Sequence, residues 1–302
     1  MIVAETPDDH RALIELCAPL GVPGSGRLRY AAAMYFNRAG KMSDQALEVF
    51  RICSPIDHED PAHLLHDLGL SAEIPSRPLV PAELAIRILV EEIGRYIASL
   101  SGPGIAETLE GLARFRDGPV TPQPTGRNNV VNTWMPTALG DLSRTHPNLA
   151  TAISAAQPHL RWITFGGYPA EEVGSEFLAS HAFASIFGEP PAAIRAVDWD
   201  MGLFLIAPHV LYRDHRHQAP ELYVPLTGPH GWRFGADKPL VIKAAHDPVW
   251  NDPFVSHLTK VGPAPFLSLY VWTRDVNAGA EIVPATDWPA LEALRLEARC
   301  DP

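Results

Sequence analysis

The chain has 302 residues, room for one large domain or two modest ones, and its 46% hydrophobic content supports a packed core rather than disorder. A net charge of −11 and a pI of about 5.6, with no basic run, argue against nucleic acid and against anionic membrane surfaces as partners. No uncharged apolar stretch reaches the ~18 residues that a membrane-spanning helix needs.

Cys17, Cys53 and Cys300 are scattered and unpaired in spacing, as expected of reduced thiols in a cytoplasmic protein. The start MIVAETPDDH has neither the basic end nor the apolar centre of a signal peptide. The 30 prolines, roughly twice the usual share, predict many short elements.

Residues 1–117 read as mostly helical. Asp8 and Asp9 precede an apolar-periodic run through Leu13, Leu16 and Leu20. An alanine-rich helix over 27–38 ends at Gly40, and Ser43 opens another that stops before Pro55. The clearest helix spans 81–100, with Pro81 in its first turn and one stripe of Ile86, Leu89, Ile93, Tyr96, Ile97 and Leu100. Gly94 inside it costs about 1 kcal/mol relative to Ala, which predicts a close packing contact there. Histidines 58, 63 and 66 read as a solvated helix start. Residues 118–147 lose periodicity and form either a linker or a long ordered arm, for which Val130, Val131, Trp134 and Met135 provide an apolar face. The chain therefore divides into a mostly helical region, 1–147, and a second domain, 148–302.

In the second domain, 148–157 and 171–187 read as helices. Strand-like runs follow at 201–207, 221–226, 239–244, 266–273 and 280–284, separated by turn residues, as in a sandwich or barrel. A last helix follows Asp287.

Six of the 13 histidines fall between 209 and 257. On an extended backbone His215, His217, Glu221 and Tyr223 share one parity, so imidazoles, a carboxylate and a phenol converge as N and O donors for a divalent metal. Pro220 marks an edge or turn between the histidine pair and Glu221. Tyr212 is one residue out of phase and is expected to approach from the side. His209 and His230 read as structural or exposed, and His246 as a loop residue.

The spacing H-x-H-x3-E-x6-G, followed by His257 in PFVSH, resembles the two metal motifs of the cupin superfamily. The longer pattern Y-x2-H-x-H-x3-E-x-Y in DHRHQAPELY, with Trp232 and the trailing HLTKVGPAPFLSLYVWTRD, resembles the cupin-type dimethylsulfoniopropionate (DMSP) lyases over about 149–277. The usual glycine of the second cupin motif, and the asparagine after its histidine, are absent. The resemblance implies an α-helical N-terminal region followed by an all-β cupin barrel (double-stranded β-helix, or jelly roll) with flanking helices. It also implies a divalent transition metal, Fe2+ foremost, with Zn2+, Mn2+ or Ni2+ as alternatives. His217, Glu221, His257 and Tyr223 would be ligands, with His215 a ligand or a supporting partner. Tyr212 would be the catalytic base and Tyr223 its competitor.

The implied reaction is base-catalysed β-elimination of DMSP, or a related small zwitterion, to dimethyl sulfide and acrylate. Trp232, Tyr270 and Trp272, with Phe266, would line the barrel and hold the sulfonium on their aromatic faces. Trp162 and Tyr168 would close its mouth. The alternatives are another metal-dependent cupin enzyme, a dioxygenase or isomerase acting on a small carboxylate, and a non-catalytic cupin. The long N-terminal half would reshape the mouth or build a homodimer interface.

Overall fold

The computed structural model describes residues 2, 6–75, 81–123, 128–166, 169–236 and 238–297. Tyr168 and Cys300 lie outside the described residues. Four helices come first: α1 (Pro7–Leu16), α2 (Ser25–Arg38), α3 (Asp44–Cys53) and α4 (Pro61–Asp67). A capping box starts α1: the Thr6 hydroxyl accepts from the Asp9 N–H at 3.1 Å, and the Asp9 carboxylate accepts from the Thr6 N–H at 3.0 Å. Ser43 caps α3 by accepting from the Ala46 N–H. These helices bury Leu13, Leu16, Phe36, Phe50 and Leu65 in one core, and His58, His63 and His66 are solvated at its edge.

Four further helices follow: α5 (Ala82–Ala98), α6 (Ile105–Phe115), α7 (Asn129–Ser143) and α8 (Pro147–Ala156). The expected stripe of α5 is buried at Ile86, Leu89, Ile93 and Ile97. Gly94 departs from expectation: no atom lies within 4 Å of where its Cβ would be, and it borders an open groove between α5 and α6. The 118–147 stretch carries α7, which starts where the Asn128 side chain accepts from the N–H groups of Val130 and Val131.

Residues 171–187 do not form the single helix their sequence suggests. Gly174, at φ 91°, separates the short α9 (Ala170–Val173) from α10 (Ser175–Ser180), and His181–Gly188 is strand β1. Apolar residues fill both faces of that stretch, so helical and strand periods fit equally well. Pairing with a neighbouring strand decides between them.

Ten more strands follow: β2 (Ile194–Arg195), β3 (Asp200–Ile206), β4 (Leu211–Arg216), β5 (Glu221–Pro225), β6 (His230–Phe234), β7 (Val241–Lys243), β8 (Val249–Asn251), β9 (His257–Lys260), β10 (Phe266–Trp272) and β11 (Glu281–Ile282). Helix α11 (Trp288–Ala293) comes last. The strands form a six-stranded sheet, β2-β1-β3-β10-β5-β8, and a five-stranded sheet, β11-β4-β9-β6-β7. The expected class, a helical region followed by an all-β barrel with flanking helices, is the one the chain adopts.

Helices α5 to α8 pack on the outward face of the six-stranded sheet. One hydrophobic core runs from Leu89 through Met135 and Ile153 to Leu203, Leu222 and Leu269. It is continuous across residues 147 and 148. The inward face of the same sheet and that of the five-stranded sheet enclose a separate cluster with Phe177, Phe204, Tyr223, Trp232, Phe266 and Tyr270. That enclosed space holds the histidine motif. No helix among the described residues is long and apolar enough to cross a membrane.

Candidate metal centre

The motif converges by a route other than single-strand parity. His215 lies on β4 in one sheet and Glu221 on β5 in the other, with Pro220 at the turn between them. The two sheets face each other, so donors from both point into the barrel. His257 is the direct cross-strand neighbour of His215, and their ring centroids are 4.1 Å apart. His215, His217, Glu221 and His257 are each no more than 3% exposed.

Each imidazole is oriented through its Nδ1. His215 Nδ1 donates to the Arg213 carbonyl at 2.8 Å, His217 Nδ1 to the Ala219 carbonyl at 2.7 Å and His257 Nδ1 to the Val255 carbonyl at 3.0 Å. A carbonyl only accepts, so each Nδ1 carries the proton and each Nε2 is left as a donor for a metal. The ligand atoms of these histidines lie within 4.8 Å of one another.

Glu221 completes the set. Its Oε2 is 3.2 Å from His217 Nε2 and 3.3 Å from His257 Nε2. Trp272 Nε1 donates to Oε1 at 2.8 Å and Asn251 Nδ2 to Oε2 at 3.0 Å, which fix the carboxylate. Two ligands each about 2.1 Å from one metal lie about 3.0–3.4 Å apart, so the observed spacing fits a shared ion as well as a direct hydrogen bond. His257 Nε2 is buried with no hydrogen-bond partner, an orphan that a metal would satisfy. The residues therefore fit a divalent cation.

Without an ion, the electrostatics of the cluster separate its members. Burial, then the His257 and His217 rings, push the His215 pKa well down, keeping it neutral. Burial lowers the His217 pKa, but the Glu221 carboxylate outweighs it and the net shift is upward. Burial would raise the Glu221 carboxyl, and the His217 and His257 imidazoles hold it well below the usual carboxylate range.

Tyr212 reaches the site through a β-bulge. The β4–β9 register pairs Tyr212 with Thr259 and His215 with His257, a slip of one residue between them. The extra residue turns Tyr212 onto the same face as His215, and their rings stack at 4.0 Å. The phase difference visible in sequence is thus cancelled. Phe177 stacks on Tyr212 at a centroid distance of 4.1 Å. Tyr223 is buried, and its phenol is held well above its usual pKa by burial and then by the charge of the Glu221 carboxylate.

A cavity of about 320 Å³ opens beside these groups, and Tyr212, Glu221, Tyr223, Tyr270 and Trp272 all contribute to its wall. Trp232 and Phe266 do not. Trp232 is fully buried against Tyr223 and Phe266 in the barrel interior. Trp162 does not close the mouth, because it is buried in the outer core with its indole donating to the Gln157 carbonyl. His230 is a buried structural residue whose Nδ1 accepts from the Gly262 N–H. His246 sits in a loop, as expected, but its ring bridges Tyr96 and Thr145 of the helical layer. Sequence reasoning missed Asn251 and Asp200, whose importance depends on strand neighbours far along the chain. A larger groove of about 700 Å³, between α5 and α6, shares no lining residue with this cavity.

A two-sheet barrel closed around three buried imidazoles and a carboxylate is a cupin-type barrel with a candidate metal centre. The dimethylsulfoniopropionate lyase family model matches residues 109–268, more than half of the chain, and the chain belongs to that family. Among solved structures, a chain from the crystal structures of the DMSP lyases RdDddP and RnDddQII is 19% identical, with a TM-score of 0.56 over 67% of this chain and 100% of that one. DMSP lyase DddQ from Ruegeria pomeroyi DSS-3 is 21% identical, with a TM-score of 0.49 over 67% of this chain and 96% of that one. A cupin-2 domain protein from Rhodospirillum rubrum is 16% identical, with a TM-score of 0.33 over 45% and 83%. The first likeness shows a shared fold. No curated protein matches the chain in sequence.

Proposed function

We propose that the protein is a metal-dependent carbon–sulfur lyase that cleaves DMSP to dimethyl sulfide and acrylate. The observation that carries this reading is the meeting of two phenols, Tyr212 and Tyr223, with Glu221 in the wall of one small cavity, beside the cluster of His215, His217 and His257. His215, His217, Glu221 and His257, with the Tyr223 hydroxyl beside them, would hold the ion. A bound divalent ion, Fe2+ foremost and Zn2+, Mn2+ or Ni2+ as alternatives, would act as a Lewis acid on the substrate carboxylate.

The residues of the chain supply the rest. Tyr212 stands at the cavity wall, its ring fixed between Phe177 and His215, and as phenolate takes the proton from the carbon next to the carboxylate. The electron pair of that C–H bond forms the double bond of acrylate. The C–S bond breaks, its electrons leave with neutral dimethyl sulfide, and Tyr212 is left protonated. Tyr223 is the competing base, although burial and the Glu221 carboxylate both oppose its ionisation. Aromatic walls from Phe177, Phe204 and Tyr270 keep water from the reacting carbon.

The test is incubation of iron(II)-loaded protein with DMSP, measuring dimethyl sulfide and acrylate. Both products should form in equal amounts. Tyr212→Phe should lower kcat by about 10²–10⁴-fold, the usual worth of a general base. Wild-type protein that yields no product above the Tyr212→Phe control would sink the substrate assignment. A larger loss in Tyr223→Phe, with metal retained, would transfer the role of base to Tyr223.

A further inference from the structure

The cavity holds a second carboxylate that the elimination chemistry does not use. Asp200 opens β3 and is half-buried in the cavity wall. Register places it in one row across the six-stranded sheet: Asp200 pairs with Trp272, Trp272 with Glu221, and Glu221 with Asn251. Paired residues project to the same face, so Asp200 and Glu221 stand on either side of Trp272. Two strand spacings separate their backbones, about 9–10 Å. Trp272, whose Nε1 donates to Glu221, stands between the two carboxylates in that row.

The surroundings of Asp200 suit a soft cation. Among the described residues the cavity wall contains two carboxylates, Asp200 and Glu221, and no Lys or Arg. Phe183, Tyr270 and Trp272 frame its end of the space. The Tyr270 hydroxyl lies 3.3 Å from Asp200 Oδ1 and the Ser185 hydroxyl 3.4 Å from Oδ2, both long contacts, of which only one carries a proton while the two hydroxyls bond each other. The short bond of this trio, 2.7 Å, joins Ser185 to Tyr270 instead. The carboxylate is thus held in place without being neutralised. Burial raises its pKa to about 6, against weaker opposition from Ser185 and Tyr270, and no neighbouring cation contributes. A buried charge in that condition is stabilised by a ligand of opposite sign.

Gly202 makes the arrangement fit. It faces Tyr270 and Ser185 in the next row of the sheet, and an added Cβ would lie 2.8 Å from the Tyr270 ring and hydroxyl. The missing side chain lets Tyr270 lie across β3 towards Ser185 and Asp200.

We propose that Asp200, framed by Phe183, Tyr270 and Trp272, is the subsite for the onium end of the substrate, pairing with a sulfonium or quaternary ammonium whose carboxylate lies at the Glu221 end. This rests on the lyase reading and deepens it. DMSP carries its carboxylate and its sulfonium at opposite ends of a two-methylene chain, so its two charged groups would face the two ends of the row. The aromatic faces contribute cation–π attraction and exclude water, and Asp200 contributes the counter-charge. Asp200 acts as a specificity-determining residue. It takes no part in proton transfer.

The test is a binding contrast that needs no turnover. Metal-loaded wild type and Asp200→Asn are titrated with 3-(trimethylammonio)propionate and with its neutral isostere 4,4-dimethylpentanoate. Wild type should prefer the onium ligand. Asp200→Asn should lower that preference about tenfold or more while binding the isostere as before. With DMSP, the variant should raise KM more than it lowers kcat. An unchanged preference, or an equal loss for both ligands, overturns the assignment of Asp200, and this holds whether or not the wild type releases dimethyl sulfide. A wild type that makes no dimethyl sulfide but loses its onium preference on Asp200→Asn would overturn the DMSP reading and uphold the subsite.

Discussion

The two faces of the six-stranded sheet differ by one residue of register and by almost everything else. Outward point Leu203, Leu205, Leu222, Val224, Leu267 and Leu269, all in the core under helices α5 to α8. Inward, on the same strands, point Asp200, Glu221, Tyr223, Tyr270 and Trp272, which line the cavity. A slip of one residue would exchange the two sets, placing carboxylates under the helices and leucines in the site. The aliphatic face therefore does more than stabilise. Its burial pins the register that aligns Asp200, Trp272, Glu221 and Asn251. Function on one face depends on packing on the other, although the two share no side chain.

That comparison can be broken from either side. The largest effect should come from the inner face. Glu221→Ala should abolish stable metal binding and activity while the far-ultraviolet spectrum stays native; metal analysis at full stoichiometry would refute the site. Next is the outer face, where Leu269→Ala removes a fully buried side chain and should cost about 2–5 kcal/mol in denaturant unfolding. Its metal content at low temperature should be unchanged, and a matching loss of metal would show that the faces are not separable. Gly202→Ala sharpens the boundary between them. Its Cβ would lie 2.2 Å from the Ala184 carbonyl oxygen, so about 1–3 kcal/mol of overpacking is expected, with Tyr270 displaced.

The smallest effect is a pH dependence of stability. Burial lowers the pKa of His246 to about 4, with His146 adding to the shift, and that of His181 to about 4. His246 is packed against Tyr96, Thr145 and His146, which face it from the helical layer. Their neutral rings contribute stability at pH values above the unfolded-state pKa of about 6.5. That contribution fades as the pH falls towards 4, because the unfolded chain takes up protons first. Unfolding free energy should therefore decline on acidification. His246→Asn, which suits the φ of 67° at that position, should flatten part of the decline. An identical pH profile in the variant would remove His246 from the account.

Much of the site was legible before the fold was known. His215, His217, Glu221, Tyr223 and His257 could be picked out because metal chemistry restricts which residue types appear together. The α5 stripe was legible because helical contacts repeat every three to four residues. The stretch 171–187 was misread because Phe, Ala and Ile fill both of its faces. Trp232 was expected at the substrate because an aromatic residue on a barrel strand can face ligand or core, and only the fold shows it packed on Tyr223 and Phe266, outside the cavity lining. Asp200 gave no signal, since it stands 21 residues before Glu221 with nothing local to join them.

What the sequence determined by itself was therefore the inventory: the donor atoms, their order, the strand-rich half and the amphipathic helices that cover it. These follow from local spacing and from residue chemistry. The tertiary structure decided which donors meet. It placed β4 and β5 in opposing sheets, turned Tyr212 inward through a bulge, and aligned Asp200 with Glu221 across Trp272. The physical reason is that strand pairing is non-local. Backbone hydrogen bonds between distant segments set the register, and register decides which side chains share a face.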